Sequence, residues 1–309
     1  MQKKIYLYLC GGLGNQLFQY AAAKNLAIKN KSELILDVGT SFSLFSQLVY
    51  AFSAKNFKTF LRFSLNKQKL KNVKFRNYIF VFWLYRLLKK IFNLKKKFNN
   101  FYDGMLVNEM FLTSFEKKIK NFVITKNLYL FGYFQSEKYF YENKKLIIKE
   151  LMPKKSTNQL FLRMQKKINL TNSVSIGLRL YEEQNIKSNN KIGGIIKLNF
   201  FRLAVIKILK YVKKPEFFIF STTNNNINKL LLECEILKKY KINFITEDEG
   251  YVDSMDNLWL MSQFKYHIIS NSSLYWWAAY FSQERYKNGK IISTSNFANK
   301  DTCLYKWKL

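Results

Sequence analysis

The segment CGGLGNQLFQYA combines closely spaced glycines with two amide side chains. Gly12 and Gly14 follow a short apolar stretch and precede residues with the apolar spacing of a helix. The backbone N–H groups at such a helix N-terminus bind anions or polar sugar groups, and Asn15 and Gln16 would add amide groups beside them. A tight turn that needs positive φ angles is the alternative. The segment therefore predicts either a ligand-binding helix N-terminus or a packing turn.

The same glycines nearly match the dinucleotide-binding fingerprint. Asp37 ends the next apolar stretch, where an acidic residue would bind a ribose. Leu17, however, stands in place of the third glycine. An NAD-dependent oxidoreductase is therefore an alternative function, which Gly12, Gly14 and Asp37 favour and Leu17 opposes.

Arg179 lies near the end of the apolar segment SVSIGLRL. The carboxyl end of a parallel strand faces the ligand crevice of an open α/β sheet, and an arginine there can bind a diphosphate through two hydrogen bonds. Glu182 follows closely and is a candidate general base. The alternative is a surface cation that pairs with this acid, since the chain has 52 Lys and Arg residues.

Small polar residues end two further apolar segments. Ser221 ends EFFIFS, and Asn271, Ser272 and Ser273 lie between YHIIS and LYWWAAYFS. Such side chains cap helices, and the helix N-terminus that follows them also binds anions. They are therefore candidate nucleotide-binding residues, and helix capping alone is the alternative.

Residues that bind metals or form nucleophilic triads are few. His267 is the single histidine and lies in an apolar segment, which indicates a packed core side chain; the 3 cysteines lie far apart. The acidic segment TEDEGYVDSMD could bind a divalent ion or form a solvated loop. These residues therefore predict no zinc site, no disulfide framework and no Ser-His-Asp triad.

Strand-like and helix-like segments alternate along the chain and must position these residues. A strand, a glycine turn, a helix over Asn15–Asn30 and a second strand form a βαβ pattern, which is typical of a parallel sheet. The second half repeats this alternation and includes a predicted helix over 227–240. Because ELMPKKSTNQ separates the halves, the predicted fold is α/β, with Rossmann-type domains at 1–155 and 156–309 whose parallel sheets face a central cleft.

Basic residues are unevenly distributed. The formal net charge is +32, and no Asp or Glu occurs between Val38 and Tyr102, which predicts a basic insertion at about residues 40–102 in the first domain. The segment 78–97 has apolar and basic residues on opposite faces of a predicted helix. Nucleic acid, an anionic membrane or a phosphorylated substrate are the natural partners. Nucleic acid is not expected, because no known nucleic-acid-binding motif is present.

The N-terminus has no pattern of a signal peptide, and the sequence has no apolar run long enough to span a membrane. We therefore expect a cytoplasmic protein. Peripheral contact of the basic segment with the inner face of the plasma membrane is one interpretation, and a basic face that is solvated or packs on the core is the alternative.

The segments GGLGNQLFQYA, GYFQSEKYF, FIFS and DNLWLMSQFKYHIISNSSLYWW together resemble glycosyltransferase family 11, the α-1,2-fucosyltransferases. The similarity extends from Ile5 to Phe297. It implies a GT-B-like pair of Rossmann-type domains. It also implies an inverting transfer that needs no metal and no cofactor, from a GDP-sugar, most often GDP-L-fucose, to a galactoside hydroxyl of an oligosaccharide or lipid-linked glycan.

The resemblance also implies roles for individual residues. It places the loop from Gly11 to Gln16, including Asn15, near the donor. It makes Arg179 a diphosphate ligand and places Asn271, Ser272 and Ser273 on the nucleotide side. Glu182 is the first candidate for the catalytic base.

The sequence departs from the family pattern H-x-R-R-x-D. Gly177 stands for the histidine, Leu180 for the second arginine and Glu182 for the aspartate, while Thr222 and Thr223 replace two acids of the family. These changes remove donor contacts. A transferase for another GDP-sugar, or a family member that binds without turnover, are therefore alternatives within the family.

Overall fold

The computed structural model describes residues 2–42, 70, 73–76, 79, 82, 84, 97–101, 103–110, 112–180, 194 and 196–309. The chain forms two units, Met1–Leu151 and Met152–Leu309. The predicted basic helix at 78–97 lies outside the described residues, apart from Ile79, Phe82, Leu84 and Lys97.

The first unit is built on one sheet. Its strands are β1 (Lys4–Tyr8), β2 (Glu33–Asp37), β3 (Val73–Arg76), β4 (Phe98–Phe101), β5 (Gly104–Asn108) and β6 (Asn127–Phe131). They form a 6-stranded sheet in the order β3-β2-β1-β6-β5-β4. The pairing of β4 with β5 is antiparallel, and the other pairings are parallel. The central strands are apolar on both faces, as expected for strands that helices or loops cover on both sides.

The longest helix in the described part of the first unit follows β1 directly. Helix α1 (Leu13–Lys29) is buried along most of its length, and the unit also contains α2 (Gly39–Phe42), α3 (Lys117–Lys120) and α4 (Lys144–Leu151). Lys24 of α1 forms an ion pair with Glu150 of α4, with 3.5 Å between Nζ and Oε1. The Tyr20 hydroxyl donates to the other Glu150 oxygen at 2.6 Å. These buried polar contacts fix α1, and therefore its N-terminus, against the rest of the unit.

The second unit contains a fully parallel sheet. Its strands are β7 (Ser173–Gly177), β8 (Glu216–Phe220), β9 (Ile242–Ile245), β10 (Tyr266–Ile269) and β11 (Lys290–Ser293). They form a 5-stranded sheet in the order β11-β10-β7-β8-β9. The chain therefore adds strands on one side of β7 and then on the other, and the strand order reverses beside β7. Ligands of open α/β sheets bind at such a reversal, outside the carboxyl ends of the strands.

Helices connect these strands. They are α5 (Gln159–Asn169), α6 (Asn199–Ile208), α7 (Asn224–Glu233), α8 (Ser254–Met261) and α9 (Ser273–Arg285). Trp276 and Trp277 of α9 are fully buried and belong to the core of this unit. The α/β class, with a predominantly parallel sheet in each half of the chain, is confirmed. None of the described helices is both long and apolar enough to cross a membrane.

One predicted helix is wrong in its extent. The segment 227–240 is not continuous, because α7 ends at Glu233 and a 3₁₀ helix follows at Glu235–Lys239. Cys234 separates them with φ −122° and ψ 68°. Its fully buried side chain packs in the same cluster as Leu230 and Leu237. The non-helical backbone at Cys234 turns the chain while both flanking segments keep their apolar contacts.

Candidate active site

The carboxyl ends of β7, β8 and β9 lie side by side in the second unit. Gly177 is in register with Phe220, and Phe220 with Ile245. The residues that follow these strands, including Arg179 and Ser221, therefore reach the same edge of the sheet. The structure thus brings together two residues that the sequence placed in the binding site.

A cavity of about 190 Å³ opens at this edge. Aliphatic and aromatic side chains of the strand ends, α8 and α9 form much of its wall. Its polar wall consists of Arg179, Ser221, Thr222, Glu247, Ser254 and Asn257. An apolar pocket with a few convergent polar groups is typical of a site for a small organic molecule. Glu247 and Asn257 were not identified from the sequence as site residues.

Arg179 carries the cation of this cavity wall. Its backbone N–H donates to Ser270 Oγ at 3.1 Å, and the buried Ser270 in turn donates its own N–H to the Gly177 carbonyl at 3.0 Å. The Arg179 side chain is exposed. The fixed backbone thus presents a guanidinium group at the cavity, where it can bind a phosphate or diphosphate.

Tyr275 forms the wall between the ends of β7 and β8. Its hydroxyl donates to the Phe220 carbonyl at 3.2 Å and lies 3.5 Å from the Leu178 carbonyl oxygen. The ring covers Gly177 so closely that a Cβ at residue 177 would lie 2.5 Å from Tyr275 Cδ2. No pattern in the sequence predicts this contact.

Asn271, Ser272 and Ser273 lie at the N-terminus of α9, next to the cavity residues Leu274 and Tyr275. The Asn271 side-chain amide donates to the carbonyls of Gly194 and Asn296, each at 2.9 Å. It thereby connects two loops at this edge. The assignment of these three residues to the nucleotide remains a prediction.

The acidic segment after β9 serves mainly to organise helix termini. Asp253 caps α8, accepting from the N–H groups of Met255 and Asp256 at 2.8 and 3.0 Å. Asp248 accepts from the Asn224 N–H at 2.6 Å, and Glu249 accepts from the Asn224 amide at 2.8 Å. Among the residues that the structure describes, no group of three or more His, Cys, Asp and Glu side chains could hold a metal ion.

The glycine loop belongs to the first unit and forms the N-terminus of α1. Gly12 is the N-cap, and its carbonyl accepts from the N–H groups of Asn15 and Gln16 at 3.0 and 3.1 Å. Gln16 is fully buried and donates to the Gly11 carbonyl at 3.0 Å. Gln16 therefore holds the loop in position, and Gly14 is buried in the first helical turn.

Asn15 is half-buried and contacts a loop that comes much later in the chain. Its Oδ1 accepts from the Gln135 amide at 2.7 Å. Gly11, with φ +76°, leaves room for Asn15, because a Cβ there would lie 2.8 Å from Asn15 Nδ2 and 3.4 Å from a ring carbon of Tyr133. Asn15, Tyr133 and Gln135 thus form one cluster beside the N-terminus of α1.

Glu109 supports the loop that carries Gln135. This carboxylate, 3% exposed, accepts from the N–H groups of Tyr133 and Phe134, each at 2.9 Å. Phe134 has φ +51°, and Gly132 is required because a Cβ there would lie 2.6 Å from Glu109 Cβ. Sequence reasoning missed Glu109 and Gln135, although the segment GYFQSEKYF contains the signal for the second.

Asp37 does not have the environment that a ribose-binding acid needs. It is fully buried, and its carboxylate accepts from the backbone N–H of Thr40 at 2.9 Å and from the Thr40 hydroxyl. A carboxylate held in this way caps the short helix α2. The structure therefore removes the main support for the nicotinamide alternative.

Two further residues singled out from the sequence are Glu182 and His267. Glu182 lies outside the described residues. His267 is fully buried, as predicted for a core side chain. Its Nε2 donates to the Phe264 carbonyl at 3.0 Å, and its Nδ1 lies 2.7 Å from Ser175 Oγ.

Comparison with known proteins extends these observations. The sequence is 28% identical over 97% of its length to an alpha-1,2-colitosyltransferase from Escherichia coli, of which it covers 96%. Among solved structures, the fucosyltransferase NodZ from Bradyrhizobium has a TM-score of 0.45 at 10% identity, with 90% of this chain and 92% of that chain covered. The E. coli ADP-heptose LPS heptosyltransferase II has a TM-score of 0.44 at 8% identity, with 100% and 90% covered.

The family comparison covers almost every described element of both units. The sequence model of glycosyl transferase family 11 matches residues 4–307. The match includes the glycine loop of the first unit and the Arg179 cavity of the second. The chain therefore belongs to glycosyl transferase family 11.

Proposed function

We propose that this chain is an inverting transferase that moves a deoxy sugar from a GDP-sugar to a galactoside-type hydroxyl of a surface glycan, in α-1,2 linkage. L-fucose from GDP-L-fucose is the first candidate for the donor. The family membership supports sugar transfer. The single observation that carries the site assignment is the exposed Arg179 side chain at the cavity of the second unit.

In this proposal the cavity of the second unit holds the nucleotide diphosphate. The Arg179 guanidinium binds the diphosphate, while Ser221 and the N-terminus of α9 add hydrogen-bond donors. The leaving GDP gains negative charge as the bond from the sugar to its phosphate breaks. Donors already fixed around it stabilise that charge without reorganising.

The cluster at α1 has a separate role in the proposal. The amide group of Asn15 and the N–H groups of the first helical turn bind polar groups of the donor sugar. The hydrogen bond from Gln135 orients Asn15. The acceptor hydroxyl attacks the sugar from the face opposite to GDP and must lose a proton, and Glu182 remains the candidate base.

Colitose is the second candidate for the transferred sugar. The observation that favours it is the similarity to an alpha-1,2-colitosyltransferase over nearly the full length of both chains. Gly177, Leu180, Thr222 and Thr223 replace residues of the family pattern, which supports testing a donor other than GDP-L-fucose. Direct comparison of GDP-L-fucose, GDP-colitose and GDP-mannose decides between the candidates.

Release of GDP from each donor, with and without a galactoside acceptor, tests the proposal. We expect Arg179→Ala to lower kcat/KM by about a hundredfold, because a charged donor contact contributes about 2–4 kcal/mol to transition-state stabilisation. Arg179→Lys should retain part of the activity, since lysine keeps the charge but not the paired hydrogen bonds. Arg202→Ala is the matched control, because Arg202 is exposed on α6 of the same unit.

Two results would contradict the proposal. GDP release that is the same in wild type and Arg179→Ala would show that the site is assigned wrongly. Binding of GDP without turnover of any GDP-sugar would identify a family member that has lost activity.

A further inference from the structure

Gly177 ends β7 under the aromatic ring of Tyr275. A Cβ at residue 177 would lie 2.5 Å from Cδ2 and 2.6 Å from Cγ of that ring, and 3.1 Å from Cε of Met261. The methionine terminus can move, whereas ring atoms next to the Tyr275 backbone cannot. Gly177 is not among the described residues with positive φ. The ring of Tyr275 therefore requires the glycine, and the backbone conformation does not.

The Tyr275 ring is held in this position from both ends. Its backbone is in the first turn of α9, and its hydroxyl reaches the carbonyls of Phe220 and Leu178 at 3.2 and 3.5 Å. These carbonyls directly precede Ser221 and Arg179. The ring thus lies between the two strand ends that bring the polar groups of the cavity together, and it forms part of the cavity wall.

We propose that Gly177 and Tyr275 form a size-matched pair that sets the shape of the donor cavity beside Arg179, and that Tyr275 is a specificity-determining residue. This inference rests on the proposed function, because it assumes that the cavity binds a GDP-sugar. The ring fills the space that a side chain at residue 177 would take. A ring from α9 therefore takes the place of a side chain on β7 and forms part of the cavity wall.

The pair has two consequences for ligand binding. A side chain at residue 177 clashes with the fixed ring, so the end of β7 or the first turn of α9 must shift at the cavity wall, which weakens the binding of every donor. A small side chain at residue 275 opens the wall beside Arg179. Because the sugar is bonded to the diphosphate that Arg179 binds, the enzyme then distinguishes less well between donors that differ in the sugar.

Calorimetric titration of the full chain with GDP tests the pair. We expect Gly177→Ala to raise the Kd for GDP about tenfold, since overpacking at a rigid contact typically has an effect of this size. Adding Tyr275→Ala should restore the affinity to within about threefold of the Tyr275→Ala single variant, because coupling between contacting residues makes such effects non-additive. The ratio of kcat/KM for GDP-L-fucose to that for GDP-mannose should fall in Tyr275→Ala.

Gly289→Ala is the matched control for loss of stability. A Cβ at residue 289 would lie 2.5 Å from the Lys265 carbonyl oxygen. Gly289 immediately precedes β11 and Lys265 immediately precedes β10, so both are at the edge of the sheet opposite to the cavity. Gly289→Ala should therefore lower the melting temperature and leave the Kd for GDP unchanged.

The experiments distinguish a failure of the proposed function from a failure of the inference about Gly177 and Tyr275. If wild type binds neither GDP nor any GDP-sugar, the proposed function is wrong and the inference falls with it. If wild type binds GDP but Gly177→Ala binds equally well, the inference alone is wrong. It is also wrong if the double variant does not recover affinity, or if Tyr275→Ala leaves the donor preference unchanged.

Discussion

At the residue scale, Gly11 and Gly12 are neighbours in the sequence but meet different requirements. Gly11 has φ +76°, and a Cβ there would contact Asn15. Gly12 has φ −72° and no described atom within 4 Å of the Cβ position. The fold therefore requires the first glycine, whereas the second is open to solvent or to a ligand.

This difference predicts unequal effects of alanine. Gly11→Ala should lower the free energy of unfolding by about 1–2 kcal/mol, because a left-handed backbone is unfavourable for a residue with a Cβ. It should also lower activity, because the new methyl group displaces Asn15. Gly12→Ala should lower the free energy of unfolding by less than about 1 kcal/mol, which is the range for an N-cap change. Urea unfolding of both variants measures the difference, and equal losses would contradict it.

Sequence reasoning places candidate residues at the correct sheet edge where their position follows from the end of a strand. Arg179 and Ser221 were placed in this way. Glu109 and Gln135 were missed because their contacts join residues separated by 24 and 120 positions. No local sequence pattern predicts that a carboxylate accepts hydrogen bonds from the backbone N–H groups of a distant loop.

At the element scale, β10 depends on a neutral histidine in the middle of the second sheet. Burial lowers the pKa of His267 from 6.5 to about 4. The Phe264 carbonyl can only accept, so Nε2 carries the proton. Nδ1 then accepts from the Ser175 hydroxyl of the neighbouring strand β7. This arrangement holds only while the ring is uncharged.

The lowered pKa predicts how stability depends on pH. The unfolded chain takes up a proton at His267 below pH 6.5, and the folded chain takes it up only near pH 4. The free energy of unfolding should therefore fall by about 3 kcal/mol through this group as the pH decreases across that interval. Above pH 6.5 the group should have no effect.

His267→Gln provides the comparison, because an amide can also donate and accept without titrating. Urea unfolding of wild type and His267→Gln at a series of pH values measures the difference in slope. The variant should lose less stability between neutral and acidic pH. Parallel curves for the two proteins would show that His267 is accessible to protons in the folded state.

Elements themselves were well predicted where an apolar run ends at a small polar residue. The strand before Ser221, and the strand and the helix on either side of Asn271–Ser273, follow from such boundaries, whereas the apolar run SVSIGLRL extends past the end of β7 at Gly177. The break at Cys234 was not predicted, because Leu230 and Leu237 continue the apolar spacing of a helix across it. Only the packing of the cysteine into the core distinguishes two short helices from one longer helix.

At the scale of the whole molecule, the basic residues far outnumber the acidic residues that could form ion pairs with them. The chain has 52 Lys and Arg residues and 20 Asp and Glu residues. Several acids are already engaged within the described structure, such as Glu150 with Lys24 and Glu216 with Lys167. The excess of positive charge is available to attract an anionic surface. Its densest part is the acid-free interval from Val38 to Tyr102.

This distribution predicts binding to anionic vesicles that depends on one segment. Full-length protein should sediment with vesicles of phosphatidylglycerol and phosphatidylcholine, but not with phosphatidylcholine alone. Binding should weaken as salt rises, because the screening length shortens to about 10 Å at 0.1 M. Replacing Lys89, Lys90, Lys95 and Lys96 by Gln should reduce binding strongly, since each basic residue near such a surface contributes about 1 kcal/mol.

The control variant removes the same charge elsewhere, with Gln at the exposed positions Lys213, Lys214, Lys238 and Lys239. If the segment docks on the membrane, the control should bind nearly as well as wild type. Equal losses in both variants would show attraction by net charge alone. Binding that depends neither on the anionic lipid nor on the salt concentration would rule out an electrostatic contact with the membrane. Salt-dependent binding that only the variant of the basic segment loses would place the enzyme at the membrane surface. A lipid-linked acceptor would be confined there, and its local concentration would be high.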